Sequence, residues 1–263
     1  MPKKLDHSPA CEHLSRADRH LAKIIAKSGP CGLQQETTQS IFEALLESII
    51  YQQLNGKVAA TITARVKALF PENTKRIRTR RGLVDGFPTP EQILAATEEH
   101  LRSAGLSRAK MLAIRDLAAK TLDGTVPTVK QAHKMSDEEL VERLESVRGI
   151  GRWTVEMLLM FRLGRPDVLP VGDYGVRKGF AKMRKLAELP KPKELMEYGE
   201  RWKPYRSVAS WYMWRAAEMK ELPLATGLAR PSQKKARTGH PTKTQSVAKT
   251  KAKPVAARKR ATK

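Results

Sequence analysis

The chain has 263 residues, 40% of them hydrophobic, and a formal net charge of +23 at pH 7. This length supports one large domain or two small ones, but no apolar run approaches the roughly 18–20 residues of a membrane span. The N-terminal segment lacks the apolar stretch of a secretory signal, and the two cysteines, Cys11 and Cys31, are too few for a disulfide framework or a four-cysteine metal site.

The positive charge is spread over the whole chain. Residues 227–263 contain 12 Lys or Arg and no Asp or Glu, so residues 1–226 still carry a net +11. Such an excess favours a polyanionic partner, with nucleic acid first. Ribosomal association or a simply solvated surface is the alternative.

In chain order, residues 1–12 are predicted to form a flexible arm and residues 13–226 a helical domain. "LSRADRHLAKIIAKSG" has apolar residues at helical spacing and ends at Gly29-Pro30, which is a helix stop signal. Residues 37–70 indicate two helices on either side of Asn55-Gly56.

Residues 71–89 are predicted to be a polar, basic connection, after which Thr89 caps the next helix. "LSRAKMLAIRDLAAKTLDG" is typical of another amphipathic helix. Ser136 with Glu139 forms a capping box. Because no convincing strand pair is present, the predicted fold class is all-α.

The C-terminal segment 227–263 is rich in Lys, Ala, Thr and Pro and has no aromatic residue. It cannot bury enough apolar surface to order itself, and we expect a disordered tail. An arm that adds non-specific affinity for nucleic acid is favoured over a solubility tail, because all of its charges have one sign.

The segment "LESVRGIGRWTVEMLLMF" (144–161) places glycines between two helix-forming stretches. A turn of this kind lets a phosphate approach the N–H groups at the start of the second helix, although an ordinary tight connection is the alternative. Ile150 would pack between the two helices. The residues assigned to the nucleic-acid contact are Gly149, Ile150, Gly151, Arg152 and Thr154.

The next segment, "RPDVLPVGDYGVRKGF" (165–180), holds Asp167 and Asp173. Pro170 and Gly172 indicate a stiff approach to a helix that starts after Asp173. From these residues alone, Asp173 is either a helix N-cap or a functional carboxylate.

Together these features resemble the helix–hairpin–helix DNA glycosylase superfamily, and within it the 3-methyladenine DNA glycosylase II branch. Five segments in order carry the resemblance: "FEALLESIIYQQLNGKVAATI", "AGLSRAKMLAIRDLA", "GIGRWTVEMLL", "LPVGDYGVRKGF" and "YRSVASWYMWR". The resemblance implies an all-α fold of two helical subdomains with a cleft. Some members have an additional β-rich domain before the helical part, for which the residues ahead of the matching region are too few.

The resemblance also implies the chemistry. Asp173 falls where the family has its essential carboxylate, which stabilises an oxocarbenium-like sugar and orients or deprotonates water. Members that also cut the strand have a nucleophilic lysine where this chain has Trp153, which implies base removal without strand cleavage. No cofactor and no metal are expected.

The implied base pocket is aromatic, since electron-rich faces suit a flipped, cationic purine. Trp214 is the leading stacking candidate, and one of Trp214, Trp211 and Tyr212 is expected to serve packing only. The full set of pocket candidates is Trp214, Trp211, Tyr212, Phe42, Trp153 and Met157, with Met157 in place of an aromatic residue of a relative.

Gln53 or Leu54 is the candidate wedge that fills the gap left by the flipped base. The alternative is that Leu54 belongs to the core and Gln53 is a solvated loop residue. Arg206, with Ser207, either contacts phosphate or fixes the turn before the last helix.

The predicted function is therefore excision of alkylated bases, of the 3-methyladenine and 7-methylguanine type, from double-stranded DNA. A monomer is expected, without membrane association, in the cytoplasm at the nucleoid or in a nucleus. The alternatives are a glycosylase for another lesion and a non-catalytic DNA-binding protein.

Overall fold

The computed structural model describes residues 5–36, 40–73, 77–79, 82–84 and 86–220, and the basic segment 227–263 lies outside them. The helices are α1 (Ser8–Ala17), α2 (Arg19–Ser28), α3 (Ile41–Tyr51), α4 (Gly56–Ala68), α5 (Pro90–Ala95), α6 (Glu98–Ser103), α7 (Arg108–Leu122), α8 (Val129–Ala132), α9 (Asp137–Glu145), α10 (Arg152–Phe161), α11 (Tyr174–Arg184), α12 (Pro192–Gly199) and α13 (Arg206–Glu218). None of the described helices is long and apolar enough to cross a membrane.

One antiparallel strand pair lies in the connection after α4. β1 (Ile77–Thr79) pairs with β2 (Gly82–Val84), with Ile77 opposite Val84. The expectation that the chain has no strand pair is wrong here, because strands of three residues are too short to show a clear alternating pattern. The all-α class is confirmed, since the other regular elements in the described ranges are helical.

Local capping chemistry starts several helices where the sequence predicted. Thr89 and Ser136 each accept a hydrogen bond from the backbone N–H three residues on, and both belong to complete capping boxes. Asn55 accepts a hydrogen bond from the Val58 N–H and so starts α4 after a four-residue break. These caps satisfy N–H groups that a helix leaves without a partner.

The N-terminal region is more ordered than predicted. Residues 8–12 belong to α1 rather than to a flexible arm, and Ala10 and Leu14 of this helix are buried. Asp18 then ends α1 and caps α2 through the N–H groups of His20 and Leu21. This packing is hard to predict because α1 buries only two apolar side chains.

The buried residues form two hydrophobic clusters. The first is built mainly by α3, α4, α7, α9 and α10, and the second by α1, α2, α11 and α13. Phe161 of α10 and Trp214 of α13 pack against both clusters, and their rings are stacked with centroids 5.9 Å apart. These two side chains therefore mark where the two halves of the fold meet.

Candidate active site

Asp173 is the N-cap of α11. Its Oδ1 accepts a hydrogen bond of 2.7 Å from the backbone N–H of Val176, and the helix dipole favours a negative charge at this end. The two alternatives left open by the sequence are therefore not exclusive. The residue that starts the helix also presents a carboxylate at the junction of the two clusters.

Two tryptophans from different helices hold this carboxylate. The indole Nε1 of Trp214 donates to Asp173 Oδ1 and that of Trp153 donates to Asp173 Oδ2, each at 2.8 Å. With the Val176 N–H, Oδ1 accepts two hydrogen bonds and Oδ2 accepts one. Since each oxygen has about two acceptor positions, Oδ2 retains one for a water or a developing positive charge.

Small residues allow α13 to come close enough for this contact. A Cβ atom on Gly175 would lie 2.7 Å from Cδ1 of Trp214, and one on Gly179 would lie 1.9 Å from the carbonyl oxygen of Met213. Both glycines lie on one face of α11, four residues apart. The spacing "YGVRKG" therefore permits the close α11–α13 packing that brings Trp214 to Asp173.

The start of α13 is also tied to the segment before Asp173. Arg206 forms a bidentate ion pair with Asp167, at 2.8 and 2.9 Å, and its side chain is only 16% exposed. Ser207 Oγ donates to the Arg165 carbonyl and accepts from the Val168 N–H. Of the two roles considered for Arg206, the structure therefore shows the one that fixes the turn, and the phosphate contact stays a prediction.

A pocket of about 530 Å³ opens beside Trp153. It brings together several residues that the sequence singled out, namely Gln53, Gly149, Trp153, Thr154 and Met157, with Ser48, Tyr51 and Gln52 completing the wall. The Trp153 side chain is 51% exposed, so its ring remains accessible while its N–H contacts Asp173. The pocket and the carboxylate thus share one indole ring.

The hairpin between α9 and α10 has the predicted form. Gly149 has φ +79°, a backbone conformation that favours glycine, and Ile150 is buried in the first cluster. Gly151 is in the β region, at φ −111°, a conformation that residues with a side chain also adopt. A Cβ on Gly151 would meet nothing within 4 Å, and no side chain of the described residues caps α10.

The turn between α3 and α4 carries the candidate wedge. Gln53 has φ +58°, which is uncommon for a residue with a side chain, and both Gln53 and Leu54 are exposed. Leu54 is 36% exposed and is therefore not a core residue. An exposed leucine at the tip of a tight turn has the chemistry of an intercalating side chain.

Two of the pocket predictions are wrong because the residues belong to the cores. Tyr212 is fully buried in the second cluster, where its hydroxyl donates to the Gly29 carbonyl. Phe42 is 4% exposed in the first cluster and has no open face for a base. Trp211 packs on Gly32 and on the ring of Tyr212, so it supports the N-terminal helices.

Arg152 forms ion pairs with two carboxylates of the protein. Its guanidinium pairs with Glu138 and Glu156, each at 3.2 Å, while half of its side chain stays exposed. Burial raises the pKa of Glu156 to about 7, and the charge of Arg152 opposes this shift. The predicted DNA contact of Arg152 would therefore compete with these two ion pairs.

Two residues that the sequence did not point to hold the backbone of the loops that line the pocket. Gln52 precedes the two wedge candidates in the chain and was not singled out. Its side-chain amide donates to the Gly149 carbonyl, at 2.8 Å. Lys110 Nζ donates to the carbonyls of Ile50 and Gln52, each at 2.7 Å. No local signal marks these residues, because their partners are 58 to 97 positions away in the chain.

Comparison with known proteins gives a family match and several similar proteins. Residues 46–204 match the model described as HhH-GPD superfamily base excision DNA repair protein. The chain is 33% identical over 210 residues to DNA-3-methyladenine glycosylase 1 of Schizosaccharomyces pombe, covering 79% of this chain and 86% of the relative.

Solved structures agree with the sequence match. A 3-methyladenine DNA glycosylase of Schizosaccharomyces pombe, in complex with abasic DNA, aligns with a TM-score of 0.66 at 33% identity, over 81% of this chain and 98% of the other. A DNA-3-methyladenine glycosidase of Bacillus halodurans aligns with a TM-score of 0.69 at 32% identity, over 81% and 92% of the two chains.

Proposed function

The chain belongs to the HhH-GPD superfamily of base excision DNA repair proteins, and we propose that it is a monofunctional DNA glycosylase that flips alkylated bases out of double-stranded DNA and hydrolyses their N-glycosidic bonds. One observation carries the proposal. The Asp173 carboxylate, held by two indole N–H groups, lies beside a pocket between the α9–α10 hairpin and the turn that carries the candidate wedge.

The bond to be broken joins the sugar C1′ to a damaged base. When it breaks, its electron pair leaves with the base and neutralises the positive charge of an alkylated purine. Positive charge then develops on the sugar, where a fixed carboxylate stabilises it without needing to reorganise. Water adds to C1′ and loses its proton to the carboxylate, which completes a hydrolysis that needs no second acid.

Trp153 excludes strand cleavage by the enzyme. Strand cleavage by a glycosylase of this kind requires an amine that forms a Schiff base with the sugar, and an indole cannot form one. The Trp153 nitrogen is moreover already committed to Asp173. The product is therefore an abasic site in an intact strand.

The pocket wall is suited to a cationic aromatic base. Trp153 and Tyr51 offer ring faces, Met157 offers a polarizable thioether, and the remaining lining side chains are neutral amides and hydroxyls. Recognition thus rests on aromatic faces rather than on an ion pair, which favours methylated purines over neutral bases. Trp214, which is stacked on Phe161, is assigned to holding Asp173 rather than to stacking on the base.

The remaining features grip the DNA. The open N-terminus of α10 provides N–H groups for a phosphate, and Leu54 fills the gap left by the flipped base. The enzyme would work where chromosomal DNA lies, at the nucleoid of a bacterium or in a nucleus. The sequence prediction of a monomer is retained in this proposal.

Chromatography of bases released from methylated DNA tests the proposed function. The wild type is expected to release 3-methyladenine and 7-methylguanine, whereas Asp173→Asn should release neither above background while still binding DNA. Release of other lesions alone would favour the glycosylase of different specificity. DNA binding without any release would favour the non-catalytic protein.

A further inference from the structure

One face of α7 carries three polar side chains, Lys110, Asp116 and Lys120, with the small residue Ala113 among them. Their spacing places the four residues within roughly one third of the helix circumference. We call this set the α7 stripe. Lys110 is its first member, and its ammonium group donates to the carbonyls of Ile50 and Gln52 at the C-terminal end of α3.

The Lys110 contact fixes the position at which the wedge turn leaves α3. A cation at a helix C-terminus satisfies carbonyls that have no partner within the helix and is favoured by the helix dipole. Burial lowers the pKa of Lys110, which shows that its ammonium group lies in a partly desolvated place. The turn itself holds Gln53 in a left-handed conformation, which needs such support to persist.

The other end of the α7 stripe holds the hairpin. Asp116 Oδ2 accepts a hydrogen bond from the Arg148 N–H at 2.7 Å and forms an ion pair with Lys120 at 2.9 Å. Lys120 also donates to the carbonyl of Ser146. The backbone on the N-terminal side of Gly149 is therefore attached to α7 through two adjacent side chains.

The middle of the α7 stripe lies under the point where the two loops meet. A Cβ on Gly149 would lie 3.4 Å from the Ala113 Cβ, so Gly149 rests directly on α7. The Gln52 side chain bridges from the wedge turn to the Gly149 carbonyl. Both loops are thus fixed to one helix and to each other.

We propose that the α7 stripe and Gln52 are positioning residues that set the wedge turn and the hairpin at one fixed separation. Both loops then engage the same damaged nucleotide at once, and the wedge enters the stack without first becoming ordered. This inference rests on the proposed function. Its consequence is that these residues assist base flipping and contribute little to the chemical step.

Two substrates distinguish an effect on base flipping from an effect on the chemical step. In the first, a single 7-methylguanine is paired within a duplex, and in the second the same lesion lies in a bubble of mismatches, where unstacking is much easier. Single-turnover base release is measured for the wild type, for Lys110→Met, which frees the wedge turn, and for Asp116→Ala, which frees the hairpin. Lys193→Met on α12, whose side chain is 88% exposed, is the matched lysine control.

We expect Lys110→Met and Asp116→Ala to lose about tenfold or more on the paired lesion and less than about threefold on the bubble, since only the paired lesion must be forced out of the stack. The double variant should lose no more than the worse single variant, because the separation of the two loops is lost once either of them is released. Lys193→Met should match the wild type on both substrates.

Equal losses on the two substrates, or no loss on the paired one, would overturn the inference. If Lys110→Met unfolds, Asp116→Ala, whose side chain is 32% exposed in the wild type, decides the outcome alone. A wild type that releases base from neither substrate would instead overturn the proposed function, so the two failures are distinguishable.

Discussion

At the residue scale, Trp153 combines two roles through two parts of one indole ring. Its face lines the pocket, and its N–H donates to Asp173. The sequence predicted the first role and the absence of a Schiff base. It did not predict the hydrogen bond, because position 173 is 20 residues away and only the folded hairpin brings the two side chains together.

Replacing the indoles by phenyl rings separates these roles. Trp153→Phe and Trp214→Phe keep an aromatic face and remove one hydrogen bond to the carboxylate. A hydrogen bond to a charged group contributes roughly 1.5–3 kcal/mol, so the rate of base release should fall about tenfold or more, with little change in the Kd for lesion-containing DNA.

Trp211→Phe, on the same helix as Trp214, is the control and should keep the wild-type rate. Single-turnover rates and fluorescence-anisotropy binding on one duplex provide both readouts. Unchanged rates for Trp153→Phe and Trp214→Phe would contradict the assigned positioning role.

Glu156 gives the folded chain a specific pH dependence. It is 5% exposed, and burial raises its pKa from 4.5 to about 7, although Arg152 opposes the shift. Between these two values the folded protein binds this proton more tightly than the unfolded chain does. The contribution of Glu156 to stability therefore falls as the pH rises from about 4.5 to 7.

Glu156→Gln removes this titration. Relative to the wild type, the variant should become more stable by roughly 3 kcal/mol between pH 4.5 and pH 8, because the folded and unfolded pKa values differ by about 2.5 and each pKa unit corresponds to about 1.4 kcal/mol. Urea unfolding at several pH values measures the difference. Parallel stability profiles for the two proteins would show that Glu156 titrates normally.

At the element scale, the hairpin between α9 and α10 shows which features a sequence can predict. Gly149 and Ile150 have local causes, a turn and an apolar contact, and both were predicted. Helix caps at Thr89 and Ser136 were predictable for the same reason. Which face of α13 points at Asp173 has no local cause, and so Tyr212 was wrongly placed in the pocket.

Gly149→Ala tests the hairpin as a DNA-binding element. Gly124 after α7 is a matched control, because it also has a positive φ, at +84°, and a Cβ there would meet nothing within 4 Å. Both alanine variants should lose about 1 kcal/mol of stability from backbone strain. Only Gly149→Ala should weaken DNA binding, because only this glycine lies in the hairpin that we propose contacts a phosphate.

Thermal or urea unfolding and anisotropy titration with undamaged duplex give the two measurements. Equal DNA affinity for Gly149→Ala and Gly124→Ala would mean that the hairpin does not contact the sugar–phosphate backbone of the DNA.

At the scale of the whole molecule, catalytic and binding features come from both hydrophobic clusters. Asp173 and Trp214 belong to helices of the second cluster, whereas Trp153, the hairpin and the wedge turn belong to the first. Composition and periodicity predicted the helices and the resemblance placed Asp173. The supports from α7 and Gln52 could not be predicted, because they depend on how distant helices pack.

The distribution of charge predicts how the full chain binds DNA. Residues 227–263 contribute 12 of the 23 net positive charges. Deleting residues 227–263 should weaken DNA binding. It should also reduce the slope of log Kd plotted against the logarithm of the salt concentration, since each neutralised phosphate contributes roughly 0.9 to that slope. Base release from saturated DNA at low salt should be unchanged. Identical salt slopes for the truncated and full chains would exclude a DNA contact by this segment.

The proposed reaction is hydrolytic base removal by Asp173 without strand cleavage, and a duplex with a single 7-methylguanine tests both parts of it. After reaction with the wild type, the labelled strand should stay intact until hot alkali cuts it at the lesion, and borohydride should trap no covalent adduct. Asp173→Asn should leave no alkali-labile site. A cut strand before alkali, a trapped adduct, or turnover by Asp173→Asn would disprove the proposed reaction.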